Sequence, residues 1–210
     1  MRASRVTLNE PKVLPGDRAT RVFLARHGRT ALNAAGLLRG RLDAGLDAVG
    51  VLQALALGGV LGYQDLQLIV SSPLVRAVET AKKVALRAGL EVEIDQRLVD
   101  RDFGPWAGKA PDAVIARWGS LNNAPDIEPE LAVAERALAA LHEACDRVDG
   151  GAALVVSHDA VNRLILPMLD ERLDGVGTVP QDTGCFNVIE RRGNVWSVLS
   201  VNNAPAGHDL

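Results

Sequence analysis

Cysteine is scarce in this chain. Cys145 and Cys185 are the only two in 210 residues, and two isolated thiols cannot build the bridged framework that holds small secreted domains together. They read as small buried residues and point to a reducing compartment, so a cytoplasmic chain is the expectation. Long apolar runs are missing as well. No stretch approaches the roughly 20 residues that cross a bilayer, and Met1 to Thr20 carries charges and two prolines where a secretion signal would have its apolar centre. No membrane partner is expected. Charge of one sign is also lacking: 23 Lys and Arg stand against 26 Asp and Glu, a net charge of -3. That is too weak a field to direct partner choice, and nucleic acid is not expected as a ligand. Neither a P-loop nor a G-x-G-x-x-G pattern occurs, so a nucleotide cofactor has no site. The four His and two Cys are too far apart for metal-ligand spacing. Neither a metal nor any other cofactor is expected.

What remains is ordinary for a globular protein, with 48% apolar and 23% charged residues. No linker divides the chain, so residues 21–210 read as one domain behind a flexible arm of residues 1–20 that shows no sustained periodicity. Short apolar runs at Val22 to Ala25, Leu66 to Ser71, Leu90 to Ile94 and Ala152 to Ser157 read as buried strands, each ending in polar residues. Helical patterns lie between them, at Ala48 to Gly62, Leu74 to Ala88, Glu130 to Val148 and Ala160 to Leu169. Alternation of this kind implies βαβ units and a mainly parallel sheet covered on both faces, an α/β class. Near the end, Cys185 to Glu190 and Val195 to Val201 flank Arg191-Arg192-Gly193-Asn194, a hairpin signal that places antiparallel strands at one edge.

Ligands of open parallel sheets collect beyond the carboxyl ends of the strands. After the first strand stand Arg26, His27 and Gly28; after the second, Ser71, Ser72, Pro73 and Arg76; after the fourth, His158 and Asp159. Two arginines and two histidines from three distant segments would meet on one rim. Arginine supplies planar, permanently charged donors that match phosphate oxygens, a task for Arg26 and Arg76. A neutral His27, its second nitrogen tied to a backbone carbonyl, can attack phosphorus, and His158 can donate to the transferring oxygens. A lone histidine after a strand is usually structural; the joint set changes that balance. His142 and His208 keep the structural reading, and Phe103, Trp106 and Trp118 read as core and cap packing.

The run Val22-Phe23-Leu24-Ala25-Arg26-His27-Gly28-Arg29-Thr30-Ala31-Leu32-Asn33 resembles the RHGxTxxN signature of the histidine phosphatase superfamily, in its phosphoglycerate-mutase-like branch (branch 1). Arg39-Gly40-Arg41-Leu42-Asp43, Ser71-Ser72-Pro73-Leu74-Val75-Arg76-Ala77-Val78-Glu79-Thr80-Ala81 and Val155-Val156-Ser157-His158 are similar to its later blocks and run in the family order. The resemblance implies a three-layer α/β/α sandwich. It also implies that His27 is the phosphorylated nucleophile, with Arg26, Arg76 and His158 around the phosphate and the Asn33 amide assisting. The family's acid is usually a glutamate ahead of an aromatic-Gly pair; here Val99-Asp100-Arg101-Asp102-Phe103-Gly104 puts Asp100 in that place, shorter by one methylene. Asp159 is a second candidate for the acid, and a helix N-cap is the plainer reading of it.

Between Gly108 and Arg136 the segment is short, lacks the family's Gly-Glu-Ser element and is poor in basic residues, so a reduced cap over an open site is expected. Hydrolysis of a small, anionic phosphorylated metabolite is favoured on that ground. The alternatives are a phosphoglycerate-mutase-type phosphotransferase and a non-catalytic phosphate-binding module. Arg39 is placed with the substrate-binding residues, with a solvated surface role weighed equally for it; Arg29, Arg41 and Arg101 read as surface charges. The oligomeric state is left open, a homodimer being compatible with it.

Overall fold

The computed structural model describes residues 18–173 and 179–205. The expected N-terminal arm therefore lies outside the described residues up to position 17. Its boundary falls slightly early: Thr20 is already buried in the first strand, opposite Arg191.

Among the described residues six strands form one sheet: β1 (Thr20–Arg26), β2 (Leu66–Ser71), β3 (Glu93–Ile94), β4 (Ala152–Ser157), β5 (Phe186–Arg192) and β6 (Val195–Asn203). Their spatial order is β3-β2-β4-β1-β5-β6. β2, β3, β4 and β1 are parallel, while β5 and β6 join antiparallel beyond β1. The helices are α1 (Ala31–Ala34), α2 (Ala48–Leu61), α3 (Val75–Ala88), α4 (Pro111–Trp118), α5 (Glu130–Arg147) and α6 (Asp159–Leu169).

The central strands are apolar almost throughout because both of their faces are covered. Val22 and Leu24 of β1 share a core with Ala153 and Val155 of β4 and the inner faces of α5 and α6, including Val133, Leu141, Ile165 and Leu166. Phe23 and Ala25 point the other way, joining Leu154 and Val156 against Leu57 and Leu61 of α2 and Ala77, Ala81 and Val84 of α3. The result is the expected three-layer α/β/α sandwich. Both cysteines are free and buried.

Two elements differ from the sequence reading. The strand expected over Leu90 to Ile94 shrinks to Glu93–Ile94. The N–H of Leu90 is consumed in closing the end of α3 on the Ala85 carbonyl, after Gly89 turns the chain at φ 69°. The hairpin loop is tighter than expected: Arg191 and Arg192 belong to the ladder, leaving Gly193 and Asn194 as the turn.

The segment after β3 builds a small third core of its own. Leu38, Phe103, Val114 and Ala124 are buried together, with Trp106 and Trp118 packed against them and edge to face with each other at 6.1 Å. Backbone bonds from Leu38 to Lys109 and from Gly108 back to Leu38 tie this cap to the loop between α1 and α2. Phe103, Trp106 and Trp118 thus serve packing. His142 stacks edge-on with Trp196 of β6, while His208 lies outside the described residues.

Candidate active site

β1 and β4 lie side by side at the centre of the sheet, and their register pairs Arg26 with Ser157. The next residue on each strand is a histidine, so parallel pairing alone sets His27 beside His158, with ring centroids 5.2 Å apart. Both are fully buried. The turn that follows His27 must be narrow: a Cβ on Gly28 would sit 2.4 Å from the Gly50 carbonyl, and one on Gly50 would sit 2.0 Å from that of Arg29. The start of α2 is thereby pressed against the signature loop, and the Gly28 N–H is anchored on the Thr80 hydroxyl at 3.0 Å.

Hydrogen bonding fixes the state of His27. Its Nδ1 lies 2.7 Å from the Gly28 carbonyl, which can only accept, so Nδ1 carries the proton and Nε2 presents a lone pair. Arg76 donates to that lone pair through Nε at 3.2 Å. Burial, reinforced by Arg76 and Arg26, holds the His27 pKa well below the ordinary value. A neutral, oriented imidazole is what attack on phosphorus requires.

Arg76, on the first turn of α3, donates further to the carbonyls of Leu42 and Gly40, each at 2.7 Å, and to Asp100 Oδ2 at 3.0 Å. Asp100 is buried too. Burial raises its pKa above the usual carboxylate value, although Arg76 and Arg39 pull the other way. Its Oδ2 is also 3.8 Å from His158 Nδ1. The shorter acid is therefore in the pocket, within an arginine's and a histidine's reach.

His158 Nε2 meets Ser72 Oγ at 2.7 Å. Ser72 Oγ also accepts from the Leu74 N–H at 3.4 Å. When Ser72 Oγ donates to Nε2, the proton of His158 sits on Nδ1. That nitrogen, 3.8 Å from Asp100 Oδ2, has no hydrogen-bond partner among the described residues, and in this tautomer it is available to donate to a bound oxyanion. Burial, then the neighbouring Arg76, keeps this imidazole neutral as well.

Arg26 donates to the Gln181 carbonyl and sits 3.5 Å from Asp159 Oδ1. Arg39 is mostly buried, donating to Leu37 O at 3.4 Å with Nη2 3.9 Å from Asp159 Oδ2, so its surface reading is not what the structure shows. Asp159 does not cap α6. His158 occupies the cap position, and Asp159 is the first helical residue, bound to Arg163 at 2.7 Å. Asn33 spends its side-chain oxygen on the Thr30 N–H and hydroxyl as the capping box of α1, leaving only Nδ2 for a ligand. Arg101 is not a surface charge either: it is nearly buried, tied to Glu128 O, Glu130 and Asn122. Arg29 and Arg41 remain partly exposed, paired with Asp47 and with Asp102 and Glu128.

Arg136 went unnoticed in the sequence reading. From α5 it donates to the carbonyls of Arg97, Val99 and Asp100 at 2.6, 2.6 and 3.2 Å, while Glu128 binds it at 2.9 and 3.0 Å. It straps the loop that carries Asp100. An arginine on a charged helix face gives no local sign of such a role. The cap, though short, is folded around its own core, and the side chains of His27, Arg76, Asp100 and His158 are buried. A cavity of about 340 Å³ adjoins it, shared by Arg39, Asp159 and Arg163 with Leu37, Phe103 and Leu164. Among the described residues there is no cluster of ligands for a metal ion and no helix long and apolar enough to cross a membrane.

The model of the histidine phosphatase superfamily (branch 1) matches residues 22–204. The chain belongs to that superfamily. This histidine phosphatase homologue is 44% identical over 91 residues to the glucosyl-3-phosphoglycerate phosphatase of Mycobacterium tuberculosis, a match covering 43% of the chain and 41% of the relative. To the protein of the same name from Mycolicibacterium vanbaalenii it is 38% identical over 150 residues, 65% of each. The chain thus spans less than two thirds of the length of these curated relatives. A phosphoglycerate mutase from Bacillus anthracis superposes with a TM-score of 0.78 at 25% identity, over 90% of this chain and 95% of that one.

Proposed function

We propose that this superfamily member is a phosphomonoester hydrolase acting through a phosphohistidine on His27. The observation that carries the reading is the state of that imidazole: buried, neutral, protonated on Nδ1 by its bond to Gly28, with its Nε2 lone pair turned toward Arg76, where a phosphate bound by that guanidinium would sit. Nε2 forms a bond to phosphorus as the ester P–O bond breaks, and the imidazole, now cationic, is stabilised by the Gly28 carbonyl. Arg26, Arg76 and the Nδ1–H of His158 hold the oxygens of the transferring group, with the Asn33 amide at the rim. Asp100 gives its proton to the departing alkoxide. Water then attacks phosphorus, returns a proton to Asp100 and releases His27.

The raised pKa of Asp100 suits it to this donor role, and its burial beside His158 favours it over the more exposed Asp159. The leaving group would lie in the adjoining cavity, where Arg39 and Arg163 suit a small anionic metabolite. Glucosyl-3-phosphoglycerate, the ester named in two relatives, is the first substrate to assay. The two free cysteines fit a reducing cytoplasm.

Incubation with an aryl phosphate should release phosphate and leave an acid-labile phosphoprotein that His27→Ala cannot form. Equal release by both proteins refutes the nucleophile. The burial of His27, Arg76, Asp100 and His158 gives a second reading one supporting observation, because exclusion of water is what a phosphoglycerate-mutase-type transferase needs. Isomerisation of a phosphoglycerate in the presence of its bisphosphate is the assay that would favour it.

A further inference from the structure

Asp159 presents an anomaly of charge. A site that binds a phosphate dianion gains from guanidinium groups, yet the first residue of α6 places a carboxylate among them. Its Oδ1 lies 2.7 Å from Arg163 Nε and 3.5 Å from Arg26 Nη1, and its Oδ2 lies 3.9 Å from Arg39 Nη2. Among the described residues it is the one acid in ion-pair range of Arg26 or Arg39. Both arginine side chains are largely withdrawn from water, at 9% and 17% exposure, and the Nε of each lacks a partner among the described residues. Two such cations repel one another, and an anion between them offsets that repulsion.

We infer that Asp159 is a built-in competitor of phosphate: it holds Arg26 and Arg39 until phosphate binds and weakens their grip on the product. The inference rests on Arg26 being a phosphate ligand, as proposed above, and adds Arg39, whose Nη2 faces the same carboxylate. When a dianion arrives, it takes over the same Nη groups, being doubly charged and able to accept from both arginines at once. Asp159 keeps Arg163, its nearest partner, and stays beside the bound phosphate as a like charge. That repulsion is felt by inorganic phosphate for as long as it is bound, so product leaves sooner. Arg163 limits the effect by sharing the carboxylate. The role differs from that of a proton donor: an acid would act on the leaving alkoxide, whereas this carboxylate acts on phosphate affinity with no leaving group present.

The test is calorimetric titration of inorganic phosphate into the wild-type chain and into Asp159→Asn, which keeps the shape and one acceptor for Arg163 but removes the charge. Asp159→Ser serves as a second neutral variant should the first fold poorly. The neutral variants should bind phosphate roughly tenfold more tightly, a difference of about 1.4 kcal/mol, and product inhibition should deepen in step. Unchanged or weaker binding in a folded variant overturns the inference, since it would make Asp159 a prop for the arginines or a bystander. Loss of alkyl-ester turnover at unchanged phosphate affinity also overturns it, in favour of a general acid. Phosphate binding is read without turnover. A chain that hydrolysed no ester would sink the hydrolase proposal and leave this test intact.

Discussion

Replacing Asp100 by Asn separates two things this residue does. Its Oδ2 faces Arg76 at 3.0 Å, its Oδ1 accepts the Arg101 N–H at 2.9 Å, and both members of the ion pair are almost free of solvent. Asn has one oxygen for these two donors, so whichever way the amide turns, one N–H is left facing an NH2. Removing one partner of a buried ion pair costs about 3–5 kcal/mol, because the surviving charge stays buried. Arg76 keeps the carbonyls of Leu42 and Gly40, which places the expected loss near the lower end. At roughly 2–4 °C per kcal/mol for a chain of this size, the melting temperature should fall by about 6–12 °C. Saturating phosphate, which supplies Arg76 with a new anion, should restore much of it. Catalytically, a positioned proton donor contributes about 10²–10⁴-fold. Alkyl phosphate turnover should drop by at least about a hundredfold, and an aryl phosphate, whose leaving group barely needs a proton, should lose only a few-fold. A parallel drop on both substrates would refute Asp100 as the acid. An unchanged melting temperature in phosphate-free buffer would refute an ionised pair with Arg76.

Arg136→Met should imitate the catalytic half of that result. It releases the carbonyls of residues 97, 99 and 100, so alkyl ester turnover should fall several-fold more than aryl turnover, with partial rescue by Arg136→Lys; equal losses would make the strap merely structural. His27 and His158 both have folded pKa values below the ordinary histidine value, so the unfolded chain binds more protons as pH falls through about 6.5. Stability should therefore decline on acidification by up to about 2.7 kcal/mol per pH unit for the two together. Urea midpoints at pH 8 and pH 5.5 would reveal it, and equal midpoints would contradict it. Asp100, raised, works in the opposite sense only between the usual carboxylate value and its own folded value. Gly28→Ala should cost about 1–3 kcal/mol of overpacking, since the new methyl meets a backbone carbonyl that cannot step aside. Its activity should fall further than its stability, because the Gly28 carbonyl orients His27; full activity would show that the loop can shift freely.

Strand-end chemistry was legible without coordinates. Buried parallel strands deliver whatever follows them to one rim, so Arg26-His27 and Ser157-His158 could be placed there from apolar runs alone. Arg76 followed from its position just after the second strand. In each case the signal is local, carried by a few adjacent residues whose pattern has one physical solution. Secondary structure was misjudged where local signals compete, as at Leu90, whose N–H the preceding helix end claims before any strand can use it.

Other features arise only when distant segments meet. The pairing of Asp100 with Arg76, the strap from Arg136 to the Asp100 loop, and the folding of a short cap around its own core each depend on distances that no spacing encodes. Asp159 shows the division most clearly. Its place after His158 at the head of a helix is written in the chain, and that place suggested a cap. Which charges surround it was decided by β1, the loop carrying Arg39 and α6 converging on one point. A carboxylate's role is set by the charges within a few ångströms, and only the tertiary structure assembles those.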